Sequence, residues 1–391
     1  MPAFDVAIAG LGAMGSAAAL QLARRGATVI GFDRFVPPHA LGSSHGETRV
    51  TRLAIGEGDH LTPLVMRSHE LWREIERESG ASLLGETGAL IISSERNAAQ
   101  THVAGFFAKT IAAATRFGIA HELLDAAQIR ARWPQFDVAE DEVGYFEPTA
   151  GFVRLEDCVR AQLDLARKHG AEIRLNESVR AFEATPDGVR IETDQGTYSA
   201  GRLILSAGAW LPGMLGTRYA SLFKIYRQVQ VWLEVDDPAA FAPARFPVFI
   251  WELQNSARGI YGFPALNGAR AIKVASEEFT ATTSADAASR DVSESEISAV
   301  AELVAPNIRG VTRCCVRATA CLYTVTPDFG FVIDTHPECE RVLIASPCSG
   351  HGFKHSPAIG EALAQRALGA PCRFDLAPFR LSRFAGLPRA E

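Results

Sequence analysis

Residues 4–33 hold a pattern that few folds can accommodate. A short apolar run, V-A-I-A, leads into G-L-G-A-M-G, with glycines at Gly10, Gly12 and Gly15. Small residues follow at Ser16, Ala17, Ala18 and Ala19, and a second apolar run, T-V-I-G-F, closes on Asp33. The first run is too short and too apolar for anything but a buried strand, and the small residues suit a helix from about Ala13 to Arg25 lying close on a sheet. The unit reads β-α-β, which favours a parallel sheet. Each glycine has a use: a tight turn, backbone approach to a pyrophosphate, and close helix–strand packing. The helix N-terminus offers N–H groups and partial positive charge to phosphates. An acid about 20 residues on, at the end of the second strand, suits ribose hydroxyls. The spacing therefore predicts a bound dinucleotide without separating FAD from NAD. A second segment, R-L-I-L-S-A-G-A-W over 202–210, reads as a buried strand ending in a glycine turn. It is equally consistent with a second approach to the dinucleotide and with an ordinary core strand.

The chain of 391 residues is long for one core, so about two domains are expected. Without repeats or a long linker, those domains should be interleaved. Beyond the opening unit, 34–60 reads as a loop and 61–78 as a helix with Met66 and Trp72 in the core. Strands are expected near 88–93, 143–147, 179–184, 188–193, 225–235, 247–251, 259–263, 270–275, 317–323, 331–334 and 341–346. Helices are expected near 294–304 and 355–368. A net charge of -6 with no basic stripe argues against nucleic acid as a partner. No apolar run approaches the ~20 residues of a membrane span. Seven irregularly spaced cysteines point to reduced thiols, and Cys314 and Cys315 read as core. No C-x-x-C or H-E-x-x-H supports a metal site. With no secretory signal visible at the N-terminus, the expected location is the cytoplasm.

Four further stretches carry a resemblance over essentially the whole length: PPHALGSSHGETRVTR, IYGFPALNGARAIK, CLYTVTPDFGFVID, and SGHGFKHSPAIGE with FDLAPFRLSRF near the end. Together with the glycine motif, the chain resembles the monomeric sarcosine oxidase and N-methyltryptophan oxidase family, which includes pipecolate oxidases. The resemblance implies a mixed α/β and α+β fold. A Rossmann-like FAD-binding domain, placed at 1–85, 145–215 and 320–391, would interleave with a catalytic domain on a mostly antiparallel sheet, at 86–144 and 216–319. It implies a monomer that oxidises the C–N bond of an N-methyl amino acid to an imine, with O2 reduced to hydrogen peroxide.

The resemblance also implies roles. Cys321 would bond FAD through a thioether, where a buried small hydrophobe is the plain alternative. Lys273, a cation within the apolar run A-I-K-V-A, would activate O2 by meeting the developing anion. Arg52 and Lys354 would bind the substrate carboxylate, Arg52 with paired hydrogen bonds and Lys354 as a point charge. His45 and Arg49 would lie over the flavin face opposite the substrate as cations, where a loop-ordering ion pair of Arg49 with Glu47 or Glu57 is the plain alternative. Tyr261 would line the substrate cavity. The backbone of Gly350, His351 and Gly352, with the following helix, would meet negative charge at the flavin pyrimidine end.

The pattern is broken in places. The family histidine four residues after the lysine is Glu277 here, which bears on the substrate. Pro347-Cys348 stands where Gly-Phe is usual. A cyclic imino acid oxidase of the pipecolate or proline type is the nearest rival. An NAD(P)H-dependent flavin hydroxylase and a flavin-binding subunit without activity belong to other classes.

Overall fold

The structure, a computed structural model, describes residues 2–96 and 103–386. Strand Phe4–Ala9 lies at the centre of an eight-stranded sheet, parallel to Val29–Asp33 on one side and to Thr197–Leu205 on the other. Its residues Val6, Ala7 and Ile8 are wholly buried, as a parallel strand covered on both faces requires. Strands Glu172–Leu175 and Cys339–Ser346 extend the parallel array. Helices Ala13–Ala23, Thr62–Ser79, Leu155–Lys168 and Ser356–Ala367 pack on one another beside it.

A second, nine-stranded sheet is built on the long strand Lys224–Val235. It is antiparallel except where Val248–Trp251 runs parallel to Ala89–Ser93. Its edge partner Val311–Val325 pairs with Lys224–Val235 over most of its length. Alternation decides the two faces. Val231, Leu233, Ile272 and Val274 turn into a core with Phe136, Phe246, Phe249 and Trp251. The opposite face carries Gln228, Gln230 and Trp232, and beside them Cys321 and Lys273 at paired positions. A three-stranded sheet of Thr48–Thr51, Leu84–Glu86 and Gly151–Arg154 joins the assembly. Among the described residues, no helix is long and apolar enough to cross a membrane.

Several expectations need correction. Residues 34–60 are not wholly loop, because Thr48–Thr51 pairs with Gly151–Arg154 as a strand. Helix Leu155–Lys168 was not expected, although its buried Leu155, Cys158, Val159, Gln162 and Ala166 follow a helical stripe. Glu156 and Asp157 in its first turn and Arg167 and Lys168 in its last also match the helix dipole. Helix Phe106–Phe117 was likewise unforeseen. Met66 is not core: it is 38% exposed, because the buried stripe runs through Leu64, Ser68, Leu71, Trp72 and Ile75. Cys314 is exposed and Cys315 half-buried, since they lie near the open end of an edge strand.

Candidate active site

The glycine turn is built as a cradle. Gly10 has φ +91°, and a Cβ there would stand 2.6 Å from the Ser206 carbonyl oxygen. A Cβ on Gly15 would come within 1.8 Å of the Gly10 carbonyl oxygen, so helix and strand meet at a distance that only glycine permits. Gly15→Ala is expected to cost on the order of 3 kcal/mol by overpacking against backbone. A fall in melting temperature together with loss of bound FAD would register it. Asp33 ends its strand with Oδ2 accepting from the Leu11 amide (2.8 Å) and Oδ1 from the Phe35 amide (2.8 Å). Burial raises its pKa against these bonds. The segment 202–210 does approach: Ser206 Oγ donates to the Gly10 carbonyl (2.8 Å), and Ala207 to Ala209 line the same cavity. That cavity, about 830 Å3, runs from Gly10, Gly12 and Asp33 to Arg49, Tyr261 and Lys354. An open glycine turn, an acid at the strand end and a long cavity continuing to a cationic end fit FAD.

At the far end, sheet alternation brings together side chains that are remote in sequence. Cys321 Sγ is fully buried, 3.3 Å from the Gln230 amide nitrogen and 3.7 Å from Arg49 Nη2. Negative charge building at that sulfur is met by an N–H and a cation. Arg49 also donates to the carbonyls of Thr48 (2.9 Å) and Ser43 (3.0 Å). Glu47 accepts from the Trp232 indole (2.8 Å) and Glu57 from Arg52 (2.6 Å). Lys273 Nζ donates to the carbonyls of Gly46 (2.6 Å) and Thr48 (2.7 Å), 4.8 Å from the Phe263 ring centre. Burial, then repulsion from Arg49, pulls its pKa well below the usual lysine range. His45 lies in the same loop, but burial and Arg49 bring it down to about 4. That shift favours the neutral imidazole.

Arg52 and Lys354 are buried rather than solvated, at 2% and 5% exposure. Both meet Glu57, Arg52 at 2.6 Å and Lys354 at 3.7 Å. Arg52 also donates to the Ala54 carbonyl, while its Nε finds no acceptor among the described residues. Lys354 Nζ donates to the His351 carbonyl (2.9 Å). Desolvation, opposed by Glu57, brings Lys354 down to about 8. Two cations and one acid leave a net positive charge on the cavity wall, an arrangement that can grip a carboxylate. The loop carrying Arg52 is pinned by Glu147, whose carboxylate accepts from the amides of Leu53 (2.6 Å) and Ala54 (3.1 Å) and from the Tyr145 hydroxyl (3.0 Å).

Tyr261, on the same sheet face, lines the cavity with Tyr323 and Glu277. Burial raises the pKa of both tyrosines, so both are neutral phenols. Gly350, His351 and Gly352 form a tight turn, with Gly350 at φ +85° and a Gly352 Cβ excluded by the Pro347 carbonyl at 1.6 Å. A 3-10 turn, Phe353–His355, precedes helix Ser356–Ala367. Cys348 Sγ accepts from the Thr324 amide (3.3 Å) instead of projecting an aromatic ring. Sequence reading missed Gln230, Glu147 and the partnership of Glu57 with Arg52. Tyr323 carried a readable signal, since it stands two residues from Cys321 and must share its face. Among the described residues, no group of three or more His, Cys, Asp and Glu could hold a metal ion.

Comparison with known proteins gives a consistent result. The profile of the family described as FAD dependent oxidoreductase matches residues 5–366. A monomeric sarcosine oxidase from Streptomyces avermitilis is 37% identical over 390 residues, 99% of each chain. An N-methyl-L-tryptophan oxidase from Salmonella dublin is 34% identical, covering 98% of this chain and 99% of its own. Among solved structures, NikD, an unusual amino acid oxidase essential for nikkomycin biosynthesis, superposes with a TM-score of 0.84 at 23% identity, covering 96% of this chain and 97% of its own.

Proposed function

The chain belongs to the FAD-dependent oxidoreductase family, and from that membership we propose that it is a monomeric oxidase of secondary amines. It takes the C–N bond of a small N-methyl amino acid to an imine, with O2 reduced to hydrogen peroxide. The observation that carries this reading is the buried pair Arg52 and Lys354 on the cavity wall, beside the sheet face that bears Cys321 and Lys273. The names of the relatives, sarcosine oxidase and N-methyl-L-tryptophan oxidase, support it.

Gly10, Gly12 and Gly15 with the following helix would hold the FAD pyrophosphate, and Asp33 a ribose. The turn at Gly350–Gly352 and Arg49 would face the ring system. Bound FAD supplies a two-electron acceptor for hydride leaving the carbon beside nitrogen. Arg52 and Lys354 hold the substrate carboxylate and so fix the distance of the reacting carbon from the ring. The neutral phenols of Tyr261, half-buried, and Tyr323, buried, exclude water around the amine. Cys321 is the proposed thioether anchor, its sulfur flanked by Arg49 and the Gln230 amide. In the proposed division, the sheet on Phe4–Ala9 serves the dinucleotide and the sheet on Lys224–Val235 the substrate.

The test is acid denaturation of the purified protein. Yellow colour should stay with the polypeptide, its flavin peptide should map to Cys321, and Cys321→Ser should release the colour. Anaerobic addition of sarcosine, N-methyl aromatic amino acids, pipecolate and proline should then bleach the flavin with one class. A flavin that no such amine bleaches would overturn the reading. The Lys354 shift adds a pH effect. The ammonium is present below about 8 and is lost as pH rises through that value. KM should therefore climb roughly tenfold on the alkaline side, the worth of one charged hydrogen bond. In Lys354→Gln the alkaline rise should disappear, with KM high throughout.

A further inference from the structure

Helix Leu155–Lys168 begins beside the loop that carries His45 and Arg49, and its first turn brings an acid there. Glu156 Oε1 accepts from the Gly46 amide (2.8 Å) and Oε2 from the Glu47 amide (3.1 Å). The Leu155 amide in turn donates to the Glu47 carbonyl (3.1 Å). The turn so held is a strained one. Gly46 has φ +95°, and Glu47 has φ +72° although it is not glycine. A residue with a side chain keeps that conformation only where its surroundings impose it. Besides Glu156, the Trp232 indole imposes it by donating to the Glu47 carboxylate (2.8 Å). On the far side of the same turn, Lys273 Nζ donates to the carbonyls of Gly46 (2.6 Å) and Thr48 (2.7 Å). The peptide unit joining Gly46 to Glu47 therefore gives its N–H to a carboxylate and its C=O to an ammonium. Its dipole lies between the two charges in the favourable sense, and each hydrogen bond polarises the peptide for the other.

Burial works against the charge of Glu156, but the amides of Glu47, Glu156 itself and Gly46, with Arg49, more than offset it. Its carboxyl is held below the usual range and is ionised at neutral pH. The charged and titratable groups acting on Lys273 are Arg49, which repels it, and Cys321, Glu47 and Glu156, which favour its charge. Of these, Cys321 is the proposed thioether, and Glu47 is engaged by Trp232. Glu156 is joined to the ammonium through a single peptide unit. We propose that Glu156 is a positioning residue for Lys273: acting through the Gly46–Glu47 peptide, it fixes where the ammonium stands and supplies negative charge that balances Arg49. This rests on the proposed role of Lys273 towards O2 and names what holds that lysine ready for it. Glu156 is not among the residues lining the cavity, so its effect passes through the turn. The sign follows from the charges. Without the carboxylate, burial and Arg49 pull the Lys273 pKa further down, and the ammonium is lost at lower pH.

The test separates the charge from the shape of the side chain. Glu156→Gln keeps an acceptor for the two amides and removes the charge, whereas Glu156→Asp keeps the charge on a shorter arm. Rapid mixing of the reduced holoenzyme with O2 is followed from acid to alkaline pH. The wild type, both variants, Lys273→Met and the double variant Glu156→Gln with Lys273→Met are compared, each checked for wild-type flavin content. In Glu156→Gln the alkaline fall in the O2 rate should begin at lower pH than in the wild type. On that limb the rate should drop by about tenfold, the difference between a hydrogen bond to a charged and to a neutral group. Reduction by the amine should change far less, and Glu156→Asp should move the limb back towards its wild-type position. In Lys273→Met, adding Glu156→Gln should slow the O2 reaction no further, because the group it acts through has gone. Hydrogen exchange at the Gly46 and Glu47 amides, which needs no turnover, should quicken in Glu156→Gln. An unmoved limb, equal slowing of both half-reactions, additive losses in the double variant or unchanged exchange would overturn the positioning role and leave Lys273 its own. An O2 reaction that Lys273→Met leaves unchanged would overturn the role of Lys273 itself, and this inference with it.

Discussion

Lys273→Met should slow the reaction of the substrate-reduced enzyme with O2 by about 10²–10³-fold, the usual effect of removing one preorganised electrostatic group. Reduction by the amine should change far less. The asymmetry follows from where the ammonium sits. Lys273 is buried, held by the Gly46 and Thr48 carbonyls and flanked by Phe263 and Trp232. Burial and Arg49 make its positive charge costly before any anion is present, which is why its pKa lies well below the usual range. One-electron reduction of O2 creates superoxide, and an ammonium in a low-dielectric site stabilises that charge much more than it would in water. Raising the pH removes the lysine's proton, so the O2 reaction should slow at higher pH in the wild type and lose that dependence in Lys273→Met. Stopped-flow traces of the two half-reactions separate the effects. Equal slowing of both would rule out this role.

How far such a site could be read in advance depends on what each residue needs from its surroundings. The glycine turn was legible because the backbone conformation itself demands glycine: Gly10 at φ +91° and Gly15 against a carbonyl admit nothing larger. Lys273 stood out because Ile272 and Val274 point to the core, so the cation between them must occupy the other face. Helix Leu155–Lys168 was legible too, from its apolar stripe and end charges, and was overlooked for want of a nearby motif. Glu147 and Glu57 were not legible. Glu147 acts from one sheet on a loop belonging to another segment, and Glu57 gains meaning only once Arg52 and Lys354 meet across 302 positions of sequence. The charge state of His45 was not legible for a related reason. Its proton depends on burial and on Arg49, and burial is a property of the folded chain.

Arg52→Ala should raise KM for the amino acid by roughly 30- to 1000-fold, corresponding to about 2–4 kcal/mol for truncating one partner of a buried, hydrogen-bonded charge pair. The direct loss is the guanidinium fork. The indirect loss lies in Glu57, which accepts from Arg52 at 2.6 Å and lies 3.7 Å from Lys354. With Arg52 gone, Glu57 neutralises Lys354, and the wall that faced the substrate carboxylate with one net positive charge then carries none. Adding Glu57→Gln to Arg52→Ala restores a net positive charge through Lys354 and should recover part of the affinity. That recovery has a pH sign. Glu57 raises the Lys354 pKa against desolvation, so without it the value drops below about 8. The double variant should therefore bind better than Arg52→Ala at pH 6, and the advantage should fade as pH rises towards 8. Steady-state KM across that range for the wild type, both single variants and the double variant tests the scheme. An unchanged KM in Arg52→Ala would refute the carboxylate assignment. A double variant with no low-pH recovery would show that Glu57 does not compete for Lys354.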